Sequence, residues 1–141
     1  MDRLKYAIIG MATIISSMIY TMTNPWITKA QEKCLSVDIY SPSRIEPKVL
    51  NIAKGDCVLW IHRSVGDNVR IVFSEGPKCV SMTESPFRFR MDLNGCYSTD
   101  YLCFGCTSSL VFTKTGKFDY EVEFSRADKE PSKATGSIIV K

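Results

Sequence analysis

The run from Ile45 to Phe73, IEPKVLNIAKGDCVLWIHRSVGDNVRIVF, constrains the fold more than any other part of the chain, because it carries the clearest strand alternation and the clearest turn. Val49, Leu50 and Ile52 form a short apolar segment that stops at Lys54-Gly55-Asp56. There Gly supplies the backbone angles of a tight reversal and Asp can bond its own main chain. The next segment, Cys57 to His62, is almost wholly apolar, the pattern of a central strand covered on both faces. Arg63 to Asn68 reads as a loop and Val69 to Phe73 as a further strand. Alternation puts Val58, Trp60 and His62 on one face and Cys57, Leu59 and Ile61 on the other, so Trp60 is expected in the core.

Leu35 to Tyr40 alternates in the same way, with Leu35, Val37 and Ile39 facing inward, and Ser41-Pro42-Ser43 ends it. No Gly-rich phosphate loop, internal repeat or helical period longer than about two turns follows. The sequence therefore predicts an all-β chain with little helix beyond its N-terminus. At 141 residues it fits one domain able to bury a core unaided. A balance of 18 basic against 15 acidic residues, with no dense basic run, gives no reason to expect nucleic acid as a partner.

Met1 to Lys5 is a short charged lead, and residues 6–22, YAIIGMATIISSMIYTM, are uncharged and mostly apolar, as in an export signal or a membrane anchor helix. Thr28-Lys29-Ala30 offers a cleavage point after Ala30. The expected organisation is a signal peptide or anchor over 1–30 and a folded domain over 31–141. The domain is expected outside the cytoplasm: periplasmic, extracellular or membrane-anchored. Cys34 lacks the small-residue box of a lipoprotein, so acylation is not expected.

The pattern I-x-P-x-x-L-x-I-x-x-G-D-x-V-x-W, then a short loop and a strand, resembles the first half of a cupredoxin domain of the plastocyanin or azurin type. Gly116 to Val122 is similar to that family's G-x-F/Y-x-Y-x-C strand, and Gly136 to Val140 to its closing G-x-I-x-V strand. The likeness covers residues 36 to 141 and implies a cupredoxin-like Greek-key β-sandwich. It also invites a type 1 copper centre, which needs two imidazoles, a thiolate and a weak axial ligand. By the same likeness the ligand positions hold Asp67-Asn68 and Val122, and the expected ligand loop, Glu123 to Thr135, contains no His, Cys or Met. The resemblance thus implies a relative without type 1 copper.

Six cysteines remain: Cys34, Cys57, Cys79, Cys96, Cys103 and Cys106. In an exported protein an even number is read first as disulfides. The resemblance places the strand at Cys34 beside the one at Cys57, making these a pair; the other four would join among themselves in one of three ways. The sharper alternative is a thiolate site for copper, zinc or an iron-sulfur cluster built from Cys79, Cys96, Cys103 and Cys106, or from His62 with them. A third reading, a redox-active C-x-x-C, lacks the βαβ setting of thioredoxin-like motifs. His62, the only histidine, is read as structural, its ring covered and one nitrogen wet.

No Ser/His/Asp or Cys/His constellation is legible, and Glu75, Glu84, Asp92 and Asp100 read as solvated charges, so no enzyme is expected. Residues 76–109, broken by Pro77, Pro86, Gly95 and Gly105, are expected as a cysteine-rich loop insertion held by two disulfides. Its aromatics Phe87, Phe89, Tyr97, Tyr101 and Phe104 are candidate contacts for a protein partner or fillers of a local core. The leading expectation is an exported, non-enzymatic binding or accessory subunit with no cofactor. The alternative is a periplasmic or extracellular electron carrier with a metal on cysteines or His62.

Overall fold

The computed structural model describes residues 33–141. The expected leader over 1–30, its apolar segment 6–22 and the cleavage point after Ala30 lie outside the described residues. Among the described residues no helix is long and apolar enough to cross a membrane.

The expected alternation becomes a two-sheet sandwich. The first sheet is ordered β2 (Arg44–Glu46), β1 (Cys34–Ser41), β4 (Cys57–His62), β9 (Thr107–Phe112), β6 (Thr83–Phe87). The second runs β3 (Val49–Ile52), β11 (Lys129–Val140), β10 (Gly116–Arg126), β5 (Asn68–Phe73), β8 (Tyr97–Thr99), β7 (Phe89–Met91). The turn at Lys54-Gly55-Asp56 therefore does not close a hairpin. It carries the chain from β3 in one sheet to β4 in the other, with Gly55 at φ +93° and the Asp56 carboxylate accepting from the Ala53 amide at 3.0 Å.

The expected strands turn apolar side chains into the core: Val58, Trp60, Val69, Ile71 and Ile138 are fully buried, and Phe118, Tyr120 and Val140 nearly so. Trp60 sits at the centre. Its ring meets Phe73, Phe89 and Tyr120 edge-on with centroids 5.9, 5.4 and 5.6 Å away, so strands from both sheets converge on one indole. β4 is covered on one face only, however, because Leu59 and Ile61 are half-exposed on the outside of the first sheet.

Two expectations are corrected here. Residues 76–109 are not a loop insertion but contribute α1 (Gly76–Met82) and four strands, β6 to β9, to both sheets. The breakers fall where sheets tolerate them. Pro86 lies in edge strand β6, at a register shift between Glu84 and Phe87, and Gly95 takes φ +77° in the β7–β8 turn. Strands of three residues are too short for alternation to announce them. Likewise Glu123 to Thr135 is not a loop: β10 and β11 stay paired from Gly116↔Val140 to Arg126↔Lys129, leaving only Ala127 and Asp128 at the tip.

Gly136 faces Tyr120 across this hairpin. A Cβ there would lie 2.3 Å from the tyrosine hydroxyl oxygen and 2.4 Å from its ring. The phenol lies over the glycine with its pKa pushed up to about 12, first by burial, and has no room to move. Gly136→Ala should therefore cost about 1–3 kcal/mol of stability by overpacking, read as a lower urea midpoint, with Trp60 emission shifted as Tyr120 is displaced.

Candidate functional site

Antiparallel pairing of β4 with β9, and of β5 with β10, gathers several connections at one end of the sandwich: the β4–β5 loop, the β10–β11 tip and the segment 100–106 that leads into β9. Segment 100–106 is tied down by Leu102, which exchanges backbone hydrogen bonds with Val69 at 3.2 and 2.6 Å. Cys103 and Cys106 close a disulfide across Phe104 and Gly105, and Gly105 takes φ +77° to make the turn. The Gly105 N–H donates to the His62 carbonyl at 2.8 Å, and the His62 N–H donates to the Cys106 carbonyl at 3.0 Å.

Register explains what lies beside what. Trp60 pairs with Ser108 and Ile61 with Thr107; beyond this last pair the His62 N–H bonds to the Cys106 carbonyl while the His62 carbonyl accepts from Gly105, so two turn residues face one strand residue. Trp60 and Ser108 both point into the core, so alternation turns His62 and Cys106 inward together. His62 is fully buried, Cys106 is half-buried against the core, and the Phe104 ring covers the imidazole edge-on at 6.2 Å between centroids.

The expectation that His62 keeps one nitrogen wet is corrected: neither Nδ1 nor Nε2 has a hydrogen-bond partner. Burial lowers its pKa below the ordinary 6.5, against the opposing influence of the Cys103 backbone and the Asp67 charge. Burial thus favours the neutral imidazole, whose ring approaches the Cys103 backbone without a hydrogen bond of full geometry.

The neighbouring loop is braced by charge. Asp67 accepts from the Ser64 hydroxyl at 2.5 Å and from the Arg126 Nε at 3.0 Å, while Arg126 also donates to the Val65 carbonyl at 2.6 Å. Ser64, followed by Arg126, holds the Asp67 carboxyl below its usual range. Gly66, at φ +83°, leaves room for the guanidinium, which would stand 3.0 Å from a Cβ. Sequence reasoning misses this brace linking the β4–β5 loop to the hairpin tip. The G-D pair in the loop is its only signal in the sequence.

The cysteines divide into two kinds. Cys34–Cys57 is bonded, with the two residues opposite each other in the parallel pair β1–β4. Of the other four, Cys103 and Cys106 are joined, whereas Cys79, buried on α1, and Cys96, half-buried before β8, are free. The expectation of two bridges among these four is corrected to one: the C-x-x-C closes on itself, leaving the other two without either as a partner. Burial pushes the Cys79 thiol up to about 12. Among the described residues no group of three His, Cys, Asp or Glu is placed to hold a metal ion.

The aromatic candidates also divide. Phe89 and Tyr97 are core residues, their rings 5.6 Å apart and Phe89 against Trp60, which corrects their reading as surface contacts. Phe87, Tyr101 and Phe104 are exposed, by 49%, 54% and 63%, and are joined by Val65 at 77%.

The positions that the resemblance would give to copper ligands do not fit a type 1 centre. Asn68 is an exposed residue paired with Ser125 at the start of β5. Val122 is fully buried opposite Ile71, and the segment beyond it is paired strand carrying neither imidazole nor sulfur. An alkyl side chain, an amide and a continuous ladder supply no trigonal set of two imidazole nitrogens and one sulfur.

No family model matches this chain, and no curated protein does. Among solved structures it is similar to an oxidised methionine-to-lysine mutant of amicyanin, at 20% identity over 77% of this chain and 82% of that one, with a TM-score of 0.51. An oxidised methionine-to-leucine mutant of amicyanin matches at 20% identity over 76% and 81%, with a TM-score of 0.49. A Cu(I) methionine-to-glutamine mutant matches at 18% over 77% and 82%, with a TM-score of 0.46. The first of these likenesses makes the domain cupredoxin-like in fold.

His62 fixes a pH dependence. The unfolded chain takes up a proton near the ordinary value of 6.5, while the folded chain does so only at lower pH. Between those values the unfolded state binds more protons, so this contribution to stability is fully present above 6.5 and is lost as pH falls through the window beneath it. Urea midpoints between pH 7.5 and pH 5 should fall for the natural protein and much less for His62→Phe; equal slopes would contradict the assignment. Depressed carboxyls such as Asp67 and Asp92 act in the same direction but at lower pH, in the carboxylate range.

Proposed function

We propose that this chain is an exported, non-enzymatic cupredoxin-like binding or accessory subunit without type 1 copper, stapled by disulfides, that presents one end of its sandwich to a protein partner. The observation that carries this reading is the β10–β11 hairpin: from Val122 onward, where a cupredoxin with copper needs a ligand loop, the chain pairs with itself to Arg126↔Lys129, with one register shift between Phe124 and Arg126. What stands at that end is an apolar surface, Val65, Tyr101 and Phe104, with Phe87 on the flanking edge strand. Aromatic side chains on a braced scaffold lose little entropy on docking and supply large contact areas, which suits a protein partner.

Support for a non-enzymatic role comes from the same end. Its imidazole is covered by Phe104, and the Asp67 carboxylate is held by Ser64 and Arg126. The two bridges and the expected leader fit a location outside the cytoplasm: periplasmic, extracellular or anchored on the outer side of a membrane.

The test combines metal analysis, a visible spectrum and capture of partners with protein taken from its native compartment. A colourless protein without stoichiometric metal, whose capture of a defined partner drops at least tenfold in Phe104→Ser or Tyr101→Ser, is the expected result. A stoichiometric metal with a thiolate charge-transfer band would replace this reading with the electron-carrier one.

A further inference from the structure

The short bridge at Cys103 needs a reason other than stability. Cross-linking constrains the unfolded chain more the longer the loop it closes, so the Cys34–Cys57 bridge, with a sequence separation of 23, stabilises far more than one with a separation of 3. The turn it closes is moreover already fixed by backbone hydrogen bonds from Gly105 to His62, from His62 to Cys106 and from Cys106 to Cys103. The bridge adds little order where order is already present.

We propose that Cys103–Cys106 is an exchangeable disulfide that reacts with a dithiol-bearing protein partner, Cys103 being the sulfur attacked and Cys106 the one that leaves, against His62. Three observations fix these roles. Cys103 is exposed and Cys106 half-buried, so the first is the more open to attack. The His62 N–H donates to the Cys106 carbonyl at 3.0 Å and both side chains lie against the core, which brings the Cys106 sulfur and the imidazole to the same inner face. His62 itself is fully buried, its ring approaching the Cys103 backbone without a hydrogen bond of full geometry at either nitrogen, so its N–H is available to a Cys106 thiolate beside it.

The chemistry balances without a metal. A thiolate of the partner attacks the Cys103 sulfur; a mixed disulfide forms, the Cys103–Cys106 bond breaks and its electron pair goes to Cys106, whose thiolate accepts the His62 hydrogen bond. The partner's second thiolate then attacks its own sulfur in the mixed disulfide, releasing Cys103. The partner is oxidised by two electrons, this chain is reduced by two, and the protons lost by the partner's thiols end on Cys103 and Cys106. The reverse direction uses a partner disulfide. A leaving thiol of lowered pKa departs faster, and that is the service His62 renders. The inference stands on the β4–β9 end alone and does not depend on the copper argument.

The experiment equilibrates the full-length protein with glutathione redox buffers, followed by alkylation and peptide mass mapping. The Cys103–Cys106 bridge should open and reclose reversibly with Trp60 still buried and Cys34–Cys57 intact; opening only on global unfolding would overturn the proposal. At pH 7, His62→Phe should slow opening by dithiothreitol about tenfold, while His62→Gln, which keeps an N–H donor, should stay within about threefold of the natural rate. Equal rates for His62→Phe and the natural protein would refute the role of the imidazole. Cys106→Ser should trap glutathione on Cys103, and where that variant fails to fold the kinetic comparison decides alone. A glutathione adduct found at Cys106 of the natural protein instead of Cys103 would reverse the assigned roles and so overturn it.

Discussion

The indole of Trp60 is the contact on which the two sheets depend. β4 brings it to the centre of the first sheet, and the second sheet answers with Phe73 from β5, Phe89 from β7 and Tyr120 from β10, each ring meeting it at an angle rather than face to face. Edge-to-face packing uses the ring quadrupole as well as apolar burial, so the cluster sets the angle between the layers in addition to filling the space. Gly136 then becomes intelligible as the absence of a side chain where Tyr120 must lie. His62, two residues beyond Trp60 on the same face, is carried into the interior by the same alternation, whether or not an imidazole is well housed there.

That last point gives the end of the sandwich its character. A buried ring with no hydrogen bond is a local conflict between pattern and polarity, and such conflicts gather at sites with a task. Around it the chain is well ordered: Asp67, Ser64 and Arg126 brace one side, and the Leu102–Val69 bridge fixes the other. Rigid loops enclosing one unsatisfied group differ from a fold that is simply loose at its tip. They hold Phe104 and Tyr101 outward as fixed features.

How far the sequence could be read follows from which interactions were local. The inward faces of β4, β5 and β10 were legible because each strand is long enough to show its alternation, and Cys34 facing Cys57 followed from the likeness to a cupredoxin half. Residues 76–109 were opaque because β7 and β8 are three residues each and are held in place by distant partners, Arg70 donating to Asp92 and Ser98 at 2.8 Å and to the Thr99 carbonyl at 3.2 Å. Phe89 and Tyr97 could be read either as partner contacts or as core fillers, because nothing within a few positions reveals that they lie close to each other and Phe89 against Trp60. The free state of Cys79 and Cys96 likewise depends on which thiols the fold brings together, and the sequence left all three pairings of these four cysteines open.

Cys34 is bonded at the very start of β1 to the first residue of the central strand β4. A pull on the chain ahead of β1 cannot unzip that strand one hydrogen bond at a time, because the load passes at once through a covalent link into the middle of the first sheet. The ladder is then loaded in shear across several strands together. Mechanically, a force applied ahead of β1 grips the domain at its centre, although Cys34 lies at the start of its first strand.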